Sequence, residues 1–179
     1  MFELGKTAFV LVDVQGKLAS VMHERDALYR NLEILLRGML ALEVPVIWME
    51  QIPEKMGPTV PELSAHLDGH TPIPKTSFSC CLEPRFQQAL KETRASQIIL
   101  AGIETHVCIY QTASDLLNLA FEVEVVGDAV SSRFQSNRDI ALQKLIDIGA
   151  GVTSTESLLF ELMRTCEHPA FRDILKIVK

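Results

Sequence analysis

The chain has no cluster of basic residues. Lys and Arg number 17 against 23 Asp and Glu, a net charge of −6, which argues against a nucleic-acid partner. Anionic small molecules are not excluded by that sign, because one local lysine outweighs it inside a pocket. No apolar stretch is long enough to span a bilayer, so no membrane partner is expected. Met1-Phe2-Glu3-Leu4-Gly5-Lys6 lacks the charged-then-apolar layout of a signal peptide. Four cysteines in 179 residues do not make a disulfide framework. Cys80 and Cys81 are adjacent and Cys166 lies far away, so a reduced, cytoplasmic setting is expected. No Gly-x-Gly-x-x-Gly follows the first strand, which disfavours dinucleotide or flavin binding, and no cofactor is expected. There is also no internal repeat, linker or low-complexity segment. A hydrophobic fraction of 47% and a charged fraction of 22% fit an ordinary globular protein. The length suits a single domain spanning 1–179.

What is present is an alternation of strand and helix patterns. Thr7 to Val12 is an apolar run ending at Asp13, and Leu28, Leu32, Leu35, Leu36 and Met39 then recur at helical spacing. Val44 to Met49 reads as a second strand, with Pro45 near its start, where proline is tolerated. Residues 51 to 74 are rich in proline and glycine and read as a long loop with room for one helical turn, the kind of segment that often carries function. A helix is expected near 83–94, then a strand from Ile98 stopping at Gly102, then a helix whose first turn holds Cys108. Phe121 to Val126 is the next strand, ending at Gly127-Asp128, and a helix runs from about Ser136 to Ile148. Thr153-x-x-Glu156 has the form of a capping box ahead of Leu158, Leu159 and Leu162. The tail from Pro169 to Val178 reads as a short amphipathic helix for packing or subunit contact. Apolar strands alternating with helices predict one α/β domain, a parallel sheet covered on both faces.

In such sheets ligands bind beyond the carboxyl ends of the strands. Three reactive side chains fall there. Asp13 closes the first strand, where partial burial raises a carboxyl pKa and suits it to acid–base work; a loop anchor is the competing role. Lys75 follows Pro72-Ile73-Pro74, an unusual apolar setting for a lysine, although a surface lysine with a buried stem has the same sequence. Cys108 sits where a helix start and a nearby lysine favour the thiolate. A cysteine packing as a small hydrophobe is the alternative. Asp128 and Arg133, past another strand end, read as loop braces and ion-pair partners. His66 and His70 are four apart, but Asp68-Gly69 between them breaks a helical face, so no metal site is expected.

Taken together, Leu11-Val12-Asp13-Val14-Gln15, Pro74-Lys75-Thr76-x-Phe78-Ser79 and Gly102-Ile103-Glu104-Thr105-His106-Val107-Cys108 resemble the isochorismatase-like hydrolases, over residues 7 to 165. Glu50-Gln51, Gly57-Pro58-Thr59-Val60-Pro61-Glu62-Leu63 and His168-Pro169-x-Phe171 are most similar to the isochorismatase domain-containing subgroup. The resemblance implies a three-layer, Rossmann-like α/β fold with a six-stranded parallel sheet and an Asp13-Lys75-Cys108 catalytic triad. It also implies a cis peptide at Ile103–Glu104, with the N–H groups of Glu104 and Cys108 forming an oxyanion hole. The implied chemistry is cysteine-dependent hydrolysis of a small amide or related acyl compound through a thioester, by a homo-oligomer. Gln15, Gln51, Phe78 and Thr105 are candidate substrate contacts. Nicotinamidases of this family carry an Asp-x-His metal pair where this chain has Glu50-Gln51-Ile52-Pro53, so nicotinamidase activity is not expected. Two other classes compete: a binding or scaffold protein without turnover, and a thiol sensor pairing Cys108 with Cys80 or Cys81.

Overall fold

The computed structural model describes residues 1–179. Its six strands are β1 (Thr7–Val12), β2 (Val46–Gln51), β3 (Ile73–Lys75), β4 (Gln97–Ile103), β5 (Glu122–Ser131) and β6 (Gly151–Thr153). They form one parallel sheet in the order β3-β2-β1-β4-β5-β6. Nine helices connect and cover it: α1 (Gly16–Ser20), α2 (Arg25–Ala41), α3 (Pro53–Met56), α4 (Pro61–Ser64), α5 (Pro84–Thr93), α6 (Tyr110–Asn118), α7 (Gln135–Asp147), α8 (Thr155–Met163) and α9 (Phe171–Ile177). None is long and apolar enough to cross a membrane.

Because side chains alternate along a strand, the buried runs of β1 and β4 feed two cores. Phe9, Leu11, Ile99, Ala101 and Ile103 face one side, packed with Leu32, Leu35, Leu36 and Met39 of α2 and with Leu158, Leu159 and Leu162 of α8. Ala8, Val10, Val12, Ile98 and Leu100 face the other, against Phe86 of α5, Leu116 of α6 and Leu145 of α7. Burial of each large apolar side chain is worth about 1.5–3 kcal/mol, so the central strands are the most firmly held part of the sheet.

Strand order reverses between β1 and β4, which opens a crevice beyond their carboxyl ends. Gly102 makes that junction possible. It lies opposite Val12 with φ 125°, and a Cβ there would fall on the Val12 backbone. The Ile103–Glu104 peptide that follows is cis.

Four local expectations need correction. The segment 51–74 is not wholly loop: it holds α3, α4 and the edge strand β3, whose Pro74 occupies a position tolerated at a sheet edge. β5 does not end at Gly127-Asp128 but continues to Ser131, with a register shift against β4 between Leu100 and Gly102. The helix cap is Ser154 rather than Thr153, because Thr153 is still extended in β6 and the Ser154 hydroxyl accepts from Ser157 N–H. Cys108 lies in a π-helical turn, Thr105–Ile109, that precedes α6.

Candidate active site

β1, β3 and the turn after β4 bring Asp13, Lys75 and Cys108 to one point. Asp13 leaves β1 in the left-handed region (φ 54°), a conformation aspartate tolerates better than most residues, and this turns its carboxylate over the sheet end. Lys75, the last residue of β3, is only 2% exposed. Its Nζ donates to Asp13 Oδ2 at 2.6 Å, to Gln51 Oε1 at 2.6 Å, and to the Ser77 and Phe78 carbonyls at 3.2 Å each. The same Nζ lies 3.7 Å from Cys108 Sγ. Asp13 Oδ1 is buried and has no hydrogen-bond partner, so one carboxylate oxygen is held by the lysine and the other is free.

Burial raises the Asp13 carboxyl above its ordinary range, and the adjacent ammonium only partly offsets this. Burial is the largest influence on Lys75 and would lower it, but the charge and hydrogen bond of Asp13 together with the nearby Cys108 and Cys80 sulfurs hold the ammonium above its usual value. Cys108 departs from expectation. Burial pushes its thiol well up and the Asp13 charge adds to that, while Lys75 acts in the opposite direction and is outweighed. Cys80 and Cys81 are buried and free. Burial pushes Cys80 up to about 12 and Cys81 up to about 11.

Asp13 and Cys108 border a cavity of about 390 Å³ whose walls include Leu18, Ile52, Met56, Phe78, Ile103 and Val107, with Lys75 behind them. Gln15, Gln51 and Phe78 border it as expected, and so does Glu104. Thr105 does not: it is wholly buried at the start of the π-helical turn, and its Oγ1 makes no hydrogen bond. The Gln15 amide is fully spent on the wall itself. Its Oε1 accepts from Gln51 N–H at 2.6 Å, and its Nε2 donates to Gln51 and Gly57 carbonyls at 3.2 and 2.6 Å. Gln51 couples this wall to Lys75, with its own Nε2 given to the Thr76 carbonyl at 2.9 Å. At the rim, Glu104 accepts from Arg133 N–H at 3.0 Å and Nε at 3.3 Å. The Glu104 N–H donates to no backbone or side-chain group of the chain.

Sequence reasoning missed Leu18, Ile52 and Met56 as walls. One signal was present, since residues 51–74 read as a functional loop. Ile52 is held at φ 37°, a strained setting for a β-branched residue that costs about 1–3 kcal/mol. Arg133 pairs as an ion, as expected, but with Glu104 at the cavity mouth. Asp128 braces α8 through Thr155, its Oδ1 accepting from N–H and Oγ1 at 2.8 Å each. His66 sits 3.2 Å from Glu33, away from the triad.

Comparison with known proteins gives a consistent result. The isochorismatase domain model matches residues 7–157. Isochorismatase domain-containing protein 2 of Bos taurus is 40% identical over 176 residues, covering 98% of this chain and 84% of that protein. A structure described as the MAR1 ribonuclease of Caenorhabditis elegans aligns with TM-score 0.93 at 35% identity, covering 99% of this chain and 91% of that one. YcaC of Pseudomonas aeruginosa, solved with hexane-2,5-diol and covalent acrylamide, gives TM-score 0.92 at 26% identity over 98% and 90% of the two chains. YcaC of Escherichia coli, described as an octameric hydrolase of unknown specificity, gives 0.89 at 26% identity over 98% and 94%.

Proposed function

The chain belongs to the isochorismatase family, and from that premise we propose that it is a cysteine amidohydrolase acting on small acyl compounds, with Asp13, Lys75 and Cys108 as its catalytic triad. One observation carries the reading: a fully buried ammonium bridges a carboxylate at 2.6 Å and a thiol at 3.7 Å, and the second carboxylate oxygen is unpartnered. A buried oxygen without a partner costs about 1–3 kcal/mol, and such oxygens collect at sites of function. The work of this one is to take the Cys108 proton.

As sulfur attacks the carbonyl carbon, the Cys108 proton passes to Asp13, whose raised pKa lets it hold that proton. Lys75 keeps the local charge balanced throughout. The carbonyl oxygen becomes an oxyanion facing the unused Glu104 N–H and the Cys108 N–H. When the intermediate collapses, Asp13 returns the proton to the departing amine and a thioester remains on Cys108. Water then gives a proton to Asp13 and attacks the thioester. The acid leaves, sulfur recovers the proton, and Asp13 is again a carboxylate.

The covalent acrylamide in the Pseudomonas aeruginosa relative is consistent with an amide-accepting site beside a nucleophile. Ribonuclease action, from the description of the Caenorhabditis elegans relative, finds no electrostatic support in a chain of net charge −6 with an apolar cavity. A thiol sensor finds less support, because the resolving thiols it needs, Cys80 and Cys81, are buried and burial raises both. We propose a homo-oligomeric assembly, as in the octameric Escherichia coli relative, for which exposed Phe134, Ile140 and Ile146 supply apolar surface.

The test is ammonia release from a panel of small primary amides, with mass analysis of the Cys108 peptide after rapid acid quench. An acyl adduct on Cys108 that is absent in Cys108→Ala supports the reading. A binding protein without turnover would give neither ammonia nor adduct across the panel.

A further inference from the structure

The polar groups of the cavity are unevenly employed. Gln15 has both ends of its amide bound to the backbone of the wall, and Gln51 has given its oxygen to Lys75 and its nitrogen to Thr76. Glu104 is 8% exposed and is occupied by Arg133, so the two side chains together present no net charge. What stays open at depth is the reaction centre alone: Asp13 Oδ1 and the Glu104 N–H, beside a Cys108 sulfur touched only by Lys75 Nζ at 3.7 Å. The remaining lining is Leu18, Ile52, Met56, Phe78, Ile103 and Val107, and Phe78 is 54% exposed, placing an aromatic ring at the solvent edge. A charged acyl substituent entering this space would lose its hydration and meet only charges already paired with one another, Asp13 with Lys75 and Glu104 with Arg133.

We infer that the substrates are uncharged primary amides whose acyl part is a short, apolar chain, recognised by the cavity walls and not by an ionic contact. This rests on the hydrolase reading above and adds specificity to it. A cavity of about 390 Å³ lies at the small end of ligand sites, so the acyl chain is limited to a few carbons beyond the carbonyl. The competing anchor for an anion is the outer edge of Arg133, whose side chain is 52% exposed and whose terminal nitrogens are not used by Glu104. Solvent at that edge and the adjoining carboxylate both weaken its pull on a carboxylate ligand.

Protection of Cys108 from iodoacetamide, read by peptide mass, tests this on the intact wild-type protein. The competitors are near-isosteric pairs: 4-methylpentanamide against succinamate, and pentanamide against 4-aminobutanamide. The expected result is protection by each neutral member at concentrations at least tenfold lower than its charged partner. Across propanamide, butanamide and pentanamide, protection improves about fourfold per methylene until the cavity fills. Equal or better protection by a charged partner, no dependence on chain length, or no protection by any amide overturns the inference. Ammonia release separates the two claims. Protection by 4-methylpentanamide without ammonia release removes hydrolysis and leaves the recognition chemistry standing. Ammonia from succinamate but not from 4-methylpentanamide does the reverse.

Discussion

Replacing Lys75 by methionine removes the cation but keeps most of the stem's volume, and its consequences differ from those of Asp13→Asn in a way the geometry fixes. At 2.6 Å the gross attraction between the two charges is about 6 kcal/mol for an effective dielectric of about 20. Burial of both groups cancels much of that, so the net value appears only when one partner is removed. In Lys75→Met, Asp13 is left buried with Oδ2 newly unpartnered and Oδ1 already so, and the cost is about 3–5 kcal/mol. In Asp13→Asn, the ammonium still holds Gln51 Oε1 at 2.6 Å and two carbonyls at 3.2 Å, and the cost is about 1–3 kcal/mol. The double variant has no buried charge at this point and is expected near wild type, or up to about 4 kcal/mol above it. Urea unfolding followed by far-ultraviolet circular dichroism at pH 7 measures all four proteins. In Lys75→Met the Asp13 carboxyl rises further above its ordinary 3.8, so folding takes up a proton over the interval between the two values. That variant is therefore most stable, relative to wild type, below about pH 4 and loses ground as pH climbs. Equal losses in the two single variants, or a double variant as unstable as their sum, would refute the reasoning.

Other outcomes follow from the same contacts. Because the Asp13 charge is among the causes that raise the Cys108 thiol, Asp13→Asn shifts the pH profile of Cys108 alkylation to lower pH while abolishing turnover; Lys75→Met shifts it upward. An alkylation profile in wild type that levels off by pH 7 would show the thiol to be pre-ionised and contradict this account. Gly102→Ala places a methyl group on the Val12 backbone at φ 125°, and thermal denaturation should show a loss of more than about 3 kcal/mol. Glu104→Gln removes the charge that holds Arg133, with a cost of about 1 kcal/mol and faster amide hydrogen exchange at Arg133, whose N–H now donates to Glu104 at 3.0 Å.

Particular residues show how far the sequence carried. β1 and β4 were legible because six and seven consecutive residues are buried on both faces, which leaves an uninterrupted apolar run. β3 and β6 were not, since three-residue edge strands containing proline or glycine have no periodicity to detect. The convergence of Asp13, Lys75 and Cys108 was legible from their places after strands and from the motif around Cys108. The state of the thiol was not, because burial and the distance to Asp13 belong to the folded chain alone. The cavity walls at Ile52 and Met56 were hidden for a similar reason: the Gln15 amide pulls that segment over the triad from 36 and 42 residues away.

The chain holds one tryptophan, Trp48, and its position gives the protein a built-in optical probe. The indole N–H donates to Thr59 Oγ1 at 2.8 Å, and Thr59 is bridged in turn to Gln15 and held by Glu50. Ile52 and Met56 lie on the same segment, between the fluorophore's two attachments to it. Any displacement of Thr59 stretches that indole hydrogen bond. Its emission therefore reads the environment of the cavity wall, including a ligand bound against Ile52 and Met56, without any label.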